Sequence, residues 1–169
     1  MTACKIMLLG DMGVGKTSIA KQLVFGTFEG EYGSTIGVDI YTYDIEPPPG
    51  GQPFKFLIWD TDASFGEAFF NLVYMKQAQA ALVIGDASRP ATITNAARLA
   101  KKFSDAMPGR YLAAVLNKWD LIKGADEIVL PEIFQAGDIP VLRTSAKTGL
   151  GIKDMFHGAA TTIVRRGQA

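Results

Sequence analysis

Short apolar runs alternate with segments of helical periodicity along most of this chain. Continuous apolar runs predict buried strands, and apolar residues spaced three or four positions apart predict amphipathic helices. The pattern predicts six strands, over residues 4–9, 38–46, 54–60, 80–85, 111–116 and 139–142. It predicts five helices, over residues 16–25, 65–77, 91–107, 126–134 and 152–165.

Alternating strands and helices predict an α/β fold, with a mostly parallel sheet covered by helices on both faces. Residues 47–53 join the second and third strands and include three consecutive prolines, which favours an exposed turn and an antiparallel hairpin. No repeat or linker divides the 169 residues. We therefore expect one domain over residues 1–169, large enough to bury a core without a disulfide or metal.

Composition excludes several classes of function. The 17 Lys and Arg residues balance the 17 Asp and Glu residues, whereas non-specific nucleic-acid binding needs an excess of cations. One cysteine, Cys4, and one histidine, His157, exclude an intramolecular disulfide and any site rich in these residues. No apolar run is long enough to span a membrane, and the first residues are not a signal peptide. We expect a monomeric cytoplasmic domain that does not bind nucleic acid.

Residues 10–17 read G-D-M-G-V-G-K-T and match the phosphate-loop pattern G-x-x-x-x-G-K-[ST]. They join a predicted strand to a predicted helix, as the pattern requires. Glycines allow backbone N–H groups to approach phosphate oxygens, and a helix start adds unpaired N–H groups. Lys16 would bridge the outer phosphates, and the Thr17 hydroxyl would bind Mg²⁺. The alternative is a glycine-rich turn without a ligand.

A second motif, N-K-x-D, follows the predicted strand at residues 111–116 and consists of Asn117, Lys118, Trp119 and Asp120. A carboxylate only accepts hydrogen bonds, and guanine offers it two adjacent donors that adenine lacks. Asn117 can tie this loop to the phosphate loop, and the stem of Lys118 can lie over the base. The motif alone is weak, but it lies at a strand end, where α/β sheets bind ligands.

A third segment, Ser145-Ala146-Lys147, follows the last predicted strand. The backbone N–H of Ala146 can reach the carbonyl oxygen of a guanine base. The alternative is an ordinary loop with a serine cap.

Together these segments resemble the Ras-like small GTPases, most closely the Rab branch. The resemblance covers nearly the whole chain. It rests on residues 10–17, 34–39 (S-T-I-G-V-D), 59–61 (W-D-T), 117–120 and 144–147 (T-S-A-K), in family order and spacing. It implies the G-domain fold of the phosphate-loop nucleoside triphosphatases, binding of GTP or GDP with Mg²⁺, and a nucleotide-dependent switch.

The resemblance also assigns roles to individual residues. Phosphates would bind at Gly13, Val14, Gly15, Lys16, Thr17 and Ser18. Magnesium would be held by Thr17, Thr35 and, through a water, Asp60. The base would contact Phe28, Asn117, Lys118, Asp120, Ser145, Ala146 and Lys147.

Two segments named switches would respond to the γ-phosphate. Switch I contains Thr35, and switch II begins at Thr61. An effector protein would bind the switches, chiefly around residues 36–43 (Ile36 to Tyr43), where we expect exposed Tyr41 and Tyr43 to suit recognition. The alternative is that these are ordinary tyrosines of an edge strand. Exchange factors and activating proteins are further possible partners.

Switch II departs from the family pattern D-x-x-G-Q, because residues 60–64 read D-T-D-A-S. Ala63 replaces the glycine whose N–H contacts the γ-phosphate, and Ser64 replaces the glutamine that orients the attacking water. Asp62 adds a negative charge. Met12 stands where Ras has glycine, and it would crowd the entry of an arginine finger.

We therefore expect a GTPase with slow intrinsic hydrolysis, whose catalytic residues are Lys16, Thr35 and Ser64. Glu67 is a candidate substitute for the missing glutamine. The alternative is a non-hydrolysing pseudo-GTPase that serves as a structural or scaffolding module. A nucleoside kinase would need an arginine-bearing lid and no N-K-x-D motif, so the sequence disfavours it.

The last residues read R-R-G-Q-A, without the C-terminal cysteines that carry prenyl groups in Ras and Rab proteins. We expect no prenyl membrane anchor in this chain, and two arginines add too little membrane affinity to replace one. This ending fits a soluble switch, a chain cut before its tail, or a prokaryotic Ras-like protein.

Overall fold

A computed structural model of the chain describes residues 2–30, 35, 37–46, 52–61, 75–124 and 128–168. The strands are β1 (Thr2–Leu9), β2 (Val38–Ile45), β3 (Phe54–Thr61), β4 (Ala80–Asp86), β5 (Tyr111–Asn117) and β6 (Val141–Arg143). The α-helices of the described part are α1 (Lys16–Phe25), α2 (Pro90–Ala106), α3 (Glu132–Gln135) and α4 (Ile152–Arg165), with a 3₁₀-helix at Trp119–Leu121.

The six strands form one sheet in the order β2-β3-β1-β4-β5-β6. β2 pairs with β3 antiparallel, and the other neighbouring strands are parallel. The predicted α/β class, mostly parallel sheet and first hairpin are thereby confirmed. From β1 the chain passes to β2 and β3 on one side of that strand, and from β4 it passes to β5 on the other side, so the loops after β1 and β4 border the crevice at which such sheets bind ligands.

Two apolar layers cover the sheet because alternate residues of each strand point to opposite faces. In β1, Ile6 and Leu8 pack into the layer beneath α1 and α4, and Met7 and Leu9 pack into the layer beneath α2. Every residue of β4 and β5 is buried, as expected of strands covered on both faces. The polar ends of these strands are therefore held by a rigid core.

The helix predicted over residues 126–134 is wrong in its bounds. The described residues 128–131 are not helical, and α3 covers only Glu132–Gln135. Pro131 is the physical reason, because proline disfavours the helical conformation in the residue before it and is itself tolerated only at a helix start. The last strand also begins later than predicted, at Val141, directly after Pro140.

Most of the helix predicted over residues 65–77 lies outside the described residues. Its described part, residues 75–77, forms a turn, with Gln77 in the left-handed region at φ 64°. None of the helices in the described part of the chain has the length and apolar character that a membrane crossing requires.

Candidate nucleotide-binding site

The loop between β1 and α1 is shaped by three glycines with positive φ, Gly10 at 154°, Gly13 at 76° and Gly15 at 101°. A Cβ at Gly10 would collide with the carbonyl of Ile84, and one at Gly15 would collide with the side-chain amide of Asn117. Larger residues at these two positions would therefore push the loop away from its neighbours. No side chain of the described residues caps the N-terminus of α1, so its first N–H groups face the loop as an anion would require.

Lys16 places its ammonium inside this loop. The residue is buried, and Nζ donates to the carbonyls of Gly10 and Asp11, each at 2.8 Å. A cation fixed beside the positive end of a helix is an arrangement that suits phosphate groups.

Three oxygen-bearing side chains meet beside the start of α1. The hydroxyls of Thr17 and Thr35 lie 2.9 Å apart, and Thr17 also donates to Oδ2 of Asp60. Asp60 is fully buried, and its Oδ1 has no hydrogen-bond partner among the described residues. Burial raises the pKa of this carboxyl, although the hydrogen bond from Thr17 opposes the shift.

These three side chains fit a magnesium ion. Two hydroxyls and a carboxylate are hard oxygen ligands of the kind that Mg²⁺ prefers. A buried carboxylate oxygen without a partner calls for an explanation, and a bound cation would supply one. Thr17, Thr35 and Asp60 are the residues that would hold the ion.

A cavity of about 240 Å³ lies at the carboxyl ends of β5 and β6. Six predicted base-contacting residues line it together: Phe28, Asn117, Lys118, Asp120, Ala146 and Lys147. Gly15 and Ser18 of the phosphate-loop region also line it, so the cavity adjoins the phosphate loop. Gly30 and Leu121 complete the lining without having been singled out from the sequence.

Asn117 connects this cavity to the phosphate loop. Its Nδ2 donates to the carbonyl of Val14 at 2.9 Å, and its Oδ1 accepts from Thr144 Oγ1 and from the backbone N–H of Ala146, each at 3.2 Å. The side chain is buried. It thereby fixes three segments of the site relative to one another.

Ser145 is fully buried and is not among the residues that line the cavity. Its hydroxyl donates to Oδ1 of Asp120 at 2.6 Å and accepts from the backbone N–H of Thr148 at 3.2 Å. The hydrogen bond from Ser145 orients the Asp120 carboxylate.

The sequence reasoning missed Asp86 at the end of β4. Its buried carboxylate accepts from Lys118 Nζ at 2.7 Å, Arg89 Nε at 3.0 Å, and the backbone and hydroxyl of Ser88. Burial would raise the pKa of Asp86, but the bonds from Lys118, Ser88 and Arg89 outweigh it and lower the pKa below its ordinary value. A charged residue directly after a fully apolar strand was the available signal.

Tyr41 and Tyr43 do not form an exposed face on β2. Both are half-buried and pack against the core, and the Tyr41 ring makes an edge contact with Phe25. Ile40, which is 52% exposed, and Thr42 occupy the outward positions. The prediction that these tyrosines are exposed is thus wrong, because their positions in this alternating strand face the side of the sheet that α1 covers.

Several predicted residues lie outside the described part of the chain. They are Ile36 of switch I and Asp62, Ala63, Ser64 and Glu67 of switch II. Met12 is described, and its side chain is 64% exposed beside the phosphate loop.

The chain is similar in sequence to one family of known proteins over almost its whole length. The family model described as "Ras family" matches residues 5–165. The Ras-related protein Rab5A of Oryza sativa subsp. japonica is 30% identical over 171 residues, covering 98% of this chain and 82% of that protein. The Ras-related protein Rab-31 of Homo sapiens is 31% identical over 165 residues, covering 94% of this chain and 82% of that protein. The Ras-related protein Rab7 of Pisum sativum is 27% identical over 177 residues.

Proposed function

Because the chain belongs to the Ras family of small GTPases and is similar to its Rab members, we propose that it binds GDP and GTP with Mg²⁺ and acts as a nucleotide-dependent switch with slow intrinsic hydrolysis. The observation that carries the proposal is the cavity lined by Phe28, Lys118 and Asp120, which Asn117 joins to the phosphate loop.

Guanine selectivity rests on Asp120. Its carboxylate, held by Ser145, accepts hydrogen bonds from the N1–H and the N2 amine of guanine. Adenine has no such pair of donors, so it would shield the carboxylate from water without replacing the hydrogen bonds that water makes, which costs on the order of a few kcal/mol. The half-exposed Phe28 ring and the Lys118 stem cover the base, and the N–H of Ala146 approaches its carbonyl oxygen.

The phosphates lie along Gly13, Val14, Gly15, Lys16, Thr17 and Ser18, where backbone N–H groups and the Lys16 ammonium neutralise their charge. Thr17, Thr35 and Asp60 would hold Mg²⁺, which would supply additional positive charge to the phosphate site. The reaction is the in-line attack of water on the γ-phosphate, and Lys16 stabilises the charge that develops.

Slow hydrolysis follows from residues 60–64, D-T-D-A-S. Ser64 is too short to orient the attacking water as the family glutamine does. The retained Thr17, Thr35 and Lys16 favour a switch over an inert scaffold. The replaced switch II residues favour the alternative, a GTP-binding pseudo-GTPase.

The remaining parts of the proposal concern partners and organisation. Residues 1–169 form a single, monomeric G domain that acts in the cytoplasm without nucleic acid. An effector binds switch I and the outward face of β2, where Ile40 and Thr42 are exposed. Exchange factors and activating proteins set the nucleotide state.

Two measurements test the function. Nucleotide extracted from the purified protein should be GDP or GTP. Calorimetry with Mg²⁺ should show heat of binding for guanosine diphosphate and none for adenosine diphosphate. Absence of heat for guanine nucleotides, or equal binding of the adenosine forms, would overturn the proposal.

Single-turnover GTP hydrolysis tests the rate. We expect the wild type to hydrolyse slowly and the double variant Ala63→Gly/Ser64→Gln to hydrolyse at least tenfold faster. A wild-type rate equal to that of relatives with the glutamine would contradict slow hydrolysis, and no turnover in either protein would support the pseudo-GTPase.

A further inference from the structure

Two side chains, Arg89 directly before α2 and Asn95 within it, form hydrogen bonds with adjacent residues of the phosphate loop. Arg89 Nη2 donates to the carbonyl of Met12 at 3.1 Å, and Asn95 Nδ2 donates to the Asp11 carboxylate. These two hydrogen bonds join residues 77 and 84 positions apart in the sequence, so they hold the outer side of the loop against the helix that follows β4.

The guanidinium of Arg89 lies close to Gly13 as well as Met12. An added Cβ on Gly13 would be 3.5 Å from Arg89 Nη2. The proposed site uses the backbone N–H of Gly13 toward the phosphates. The Met12 carbonyl and the Gly13 N–H belong to the same peptide bond. The hydrogen bond from Arg89 to that carbonyl therefore fixes the direction of the Gly13 N–H.

The other side of the guanidinium is bound to Asp86. Arg89 Nε donates to Oδ2 of Asp86 at 3.0 Å, and the same oxygen lies 2.7 Å from Lys118 Nζ. The Asp86 side chain is only 2% exposed, so its charge is compensated by these cations and Ser88 rather than by solvent. One carboxylate thus connects the phosphate loop to the lysine of the base-binding cavity.

We propose that Arg89 is a positioning residue for nucleotide retention: it bridges the Met12 carbonyl and the Asp86 carboxylate, and thereby holds the phosphate loop and Lys118 in one fixed arrangement. This inference rests on the proposed nucleotide binding. It gives the protein a second bridge between the phosphate and base sites, separate from the bond between Asn117 and Val14.

The planar fork of arginine matters for this task. Nε and Nη2 donate in fixed directions to two acceptors on different segments, whereas a lysine ammonium is a compact point charge that keeps the charge but not the fork. Arg89→Lys therefore separates bridging from simple electrostatic attraction to the phosphates.

The experiment measures dissociation of a fluorescent GDP analogue from the chain of 169 residues in the presence of Mg²⁺. We expect about five- to tenfold faster dissociation in Arg89→Ala, corresponding to roughly 1–1.4 kcal/mol. In Arg89→Lys, the increase in the logarithm of the dissociation rate should be at least half of the increase in Arg89→Ala. The acceleration should be the same for the inosine analogue, because the bridge does not read the base. Lys101→Ala, which removes an exposed cation from the same helix, should dissociate at the wild-type rate.

The outcomes separate the two proposals. If wild type binds the analogue and Arg89→Ala releases it at the wild-type rate, the positioning role is overturned and nucleotide binding stands. If Arg89→Lys behaves as wild type while Arg89→Ala is fast, charge rather than bridging is responsible, and the inference is overturned. If wild type does not bind the analogue, the proposed function fails first. A lower melting temperature with an unchanged dissociation rate would show a merely structural role.

Discussion

The side-chain amide of Asn117 donates to the main-chain carbonyl of Val14, 2.9 Å away and 103 residues earlier in the sequence. The other end of the same amide accepts from Thr144 and from the N–H of Ala146. Since the residue is buried, these bonds replace those that water would make. The phosphate loop, the end of β5 and the loop after β6 therefore depend on one side chain.

We expect Asn117→Ala to lower the free energy of unfolding by roughly 2–4 kcal/mol, because the substitution leaves buried groups of Val14, Thr144 and Ala146 without their partner. Urea unfolding of the nucleotide-bound protein measures the change. Gln135→Ala, which removes an exposed amide bound to a single carbonyl, is the control. A loss below about 0.5 kcal/mol for Asn117→Ala would show that the three segments hold together without it.

A second prediction concerns the carboxylate of Asp120. Ser145→Ala removes the hydroxyl that donates to Oδ1 of Asp120, so the carboxylate is less well oriented toward the base. One hydrogen bond contributes about 1 kcal/mol, and we expect GDP to bind about fivefold more weakly. IDP lacks the N2 amine, and its affinity should fall less.

Calorimetry with GDP and IDP checks this, with Thr161→Ala as the control because it removes an exposed hydroxyl of α4 that donates to the carbonyl of His157 in the same helix. Equal losses for GDP and IDP would mean that Ser145 supports the fold rather than the orientation of Asp120.

The parts of the fold that the sequence predicted are those with a strong local cause. β4 and β5 read as continuous apolar runs because both of their faces are covered, and residues 10–17 carry glycines that the loop conformation requires. The segment 126–134 has helical periodicity, but Pro131 prevents the preceding residue from being helical. In this segment a single proline overrides the helical periodicity.

The site was harder to predict where its contacts are long-range. Alternation along β2 defines two faces but does not say which one meets the core. The structure places Tyr41 and Tyr43 on the core side and Ile40 and Thr42 on the outward side. The bond between Arg89 and Met12 depends on how α2 passes the phosphate loop. Neither residue type nor spacing encodes that contact.

A third prediction follows from the oxygen cluster of Thr17, Thr35 and Asp60. Chelating Mg²⁺ with EDTA should accelerate GDP release from the wild type by about tenfold or more, because an ion held by this cluster would supply positive charge that retains the nucleotide. Thr17→Ala removes one proposed ligand of the ion and a hydrogen bond to Asp60. We expect the variant to release GDP faster with Mg²⁺ present and to respond less to EDTA.

Stopped-flow release of a fluorescent GDP analogue measures both effects. Thr162→Ala, which removes an exposed hydroxyl on α4, should keep the full response to EDTA. An undiminished response in Thr17→Ala would exclude its hydroxyl as a magnesium ligand.

The last prediction concerns Cys4, whose thiol is fully buried in the middle of the sheet. Burial raises the pKa of Cys4 from 9.0 to about 12, with a smaller opposing effect from Arg110. Below pH 9 the thiol is protonated in both the folded and the unfolded chain. Between about pH 9 and 12 the unfolded chain releases the proton while the folded chain retains it, so this group lowers the free energy of unfolding by roughly 1.4 kcal/mol per pH unit.

Denaturant unfolding at pH 8, 9 and 10 compares the wild type with Cys4→Ala. Lysine and tyrosine titrations contribute equally to both proteins. The difference between the two proteins in how the free energy of unfolding changes with pH therefore comes from the thiol. We expect the wild type to lose about 1 kcal/mol more than the variant between pH 9 and 10, and its thiol to resist alkylation in the folded state, because only the thiolate reacts. Parallel slopes, or rapid alkylation of the folded chain at pH 8, would contradict the burial of Cys4 beneath α1 and α4.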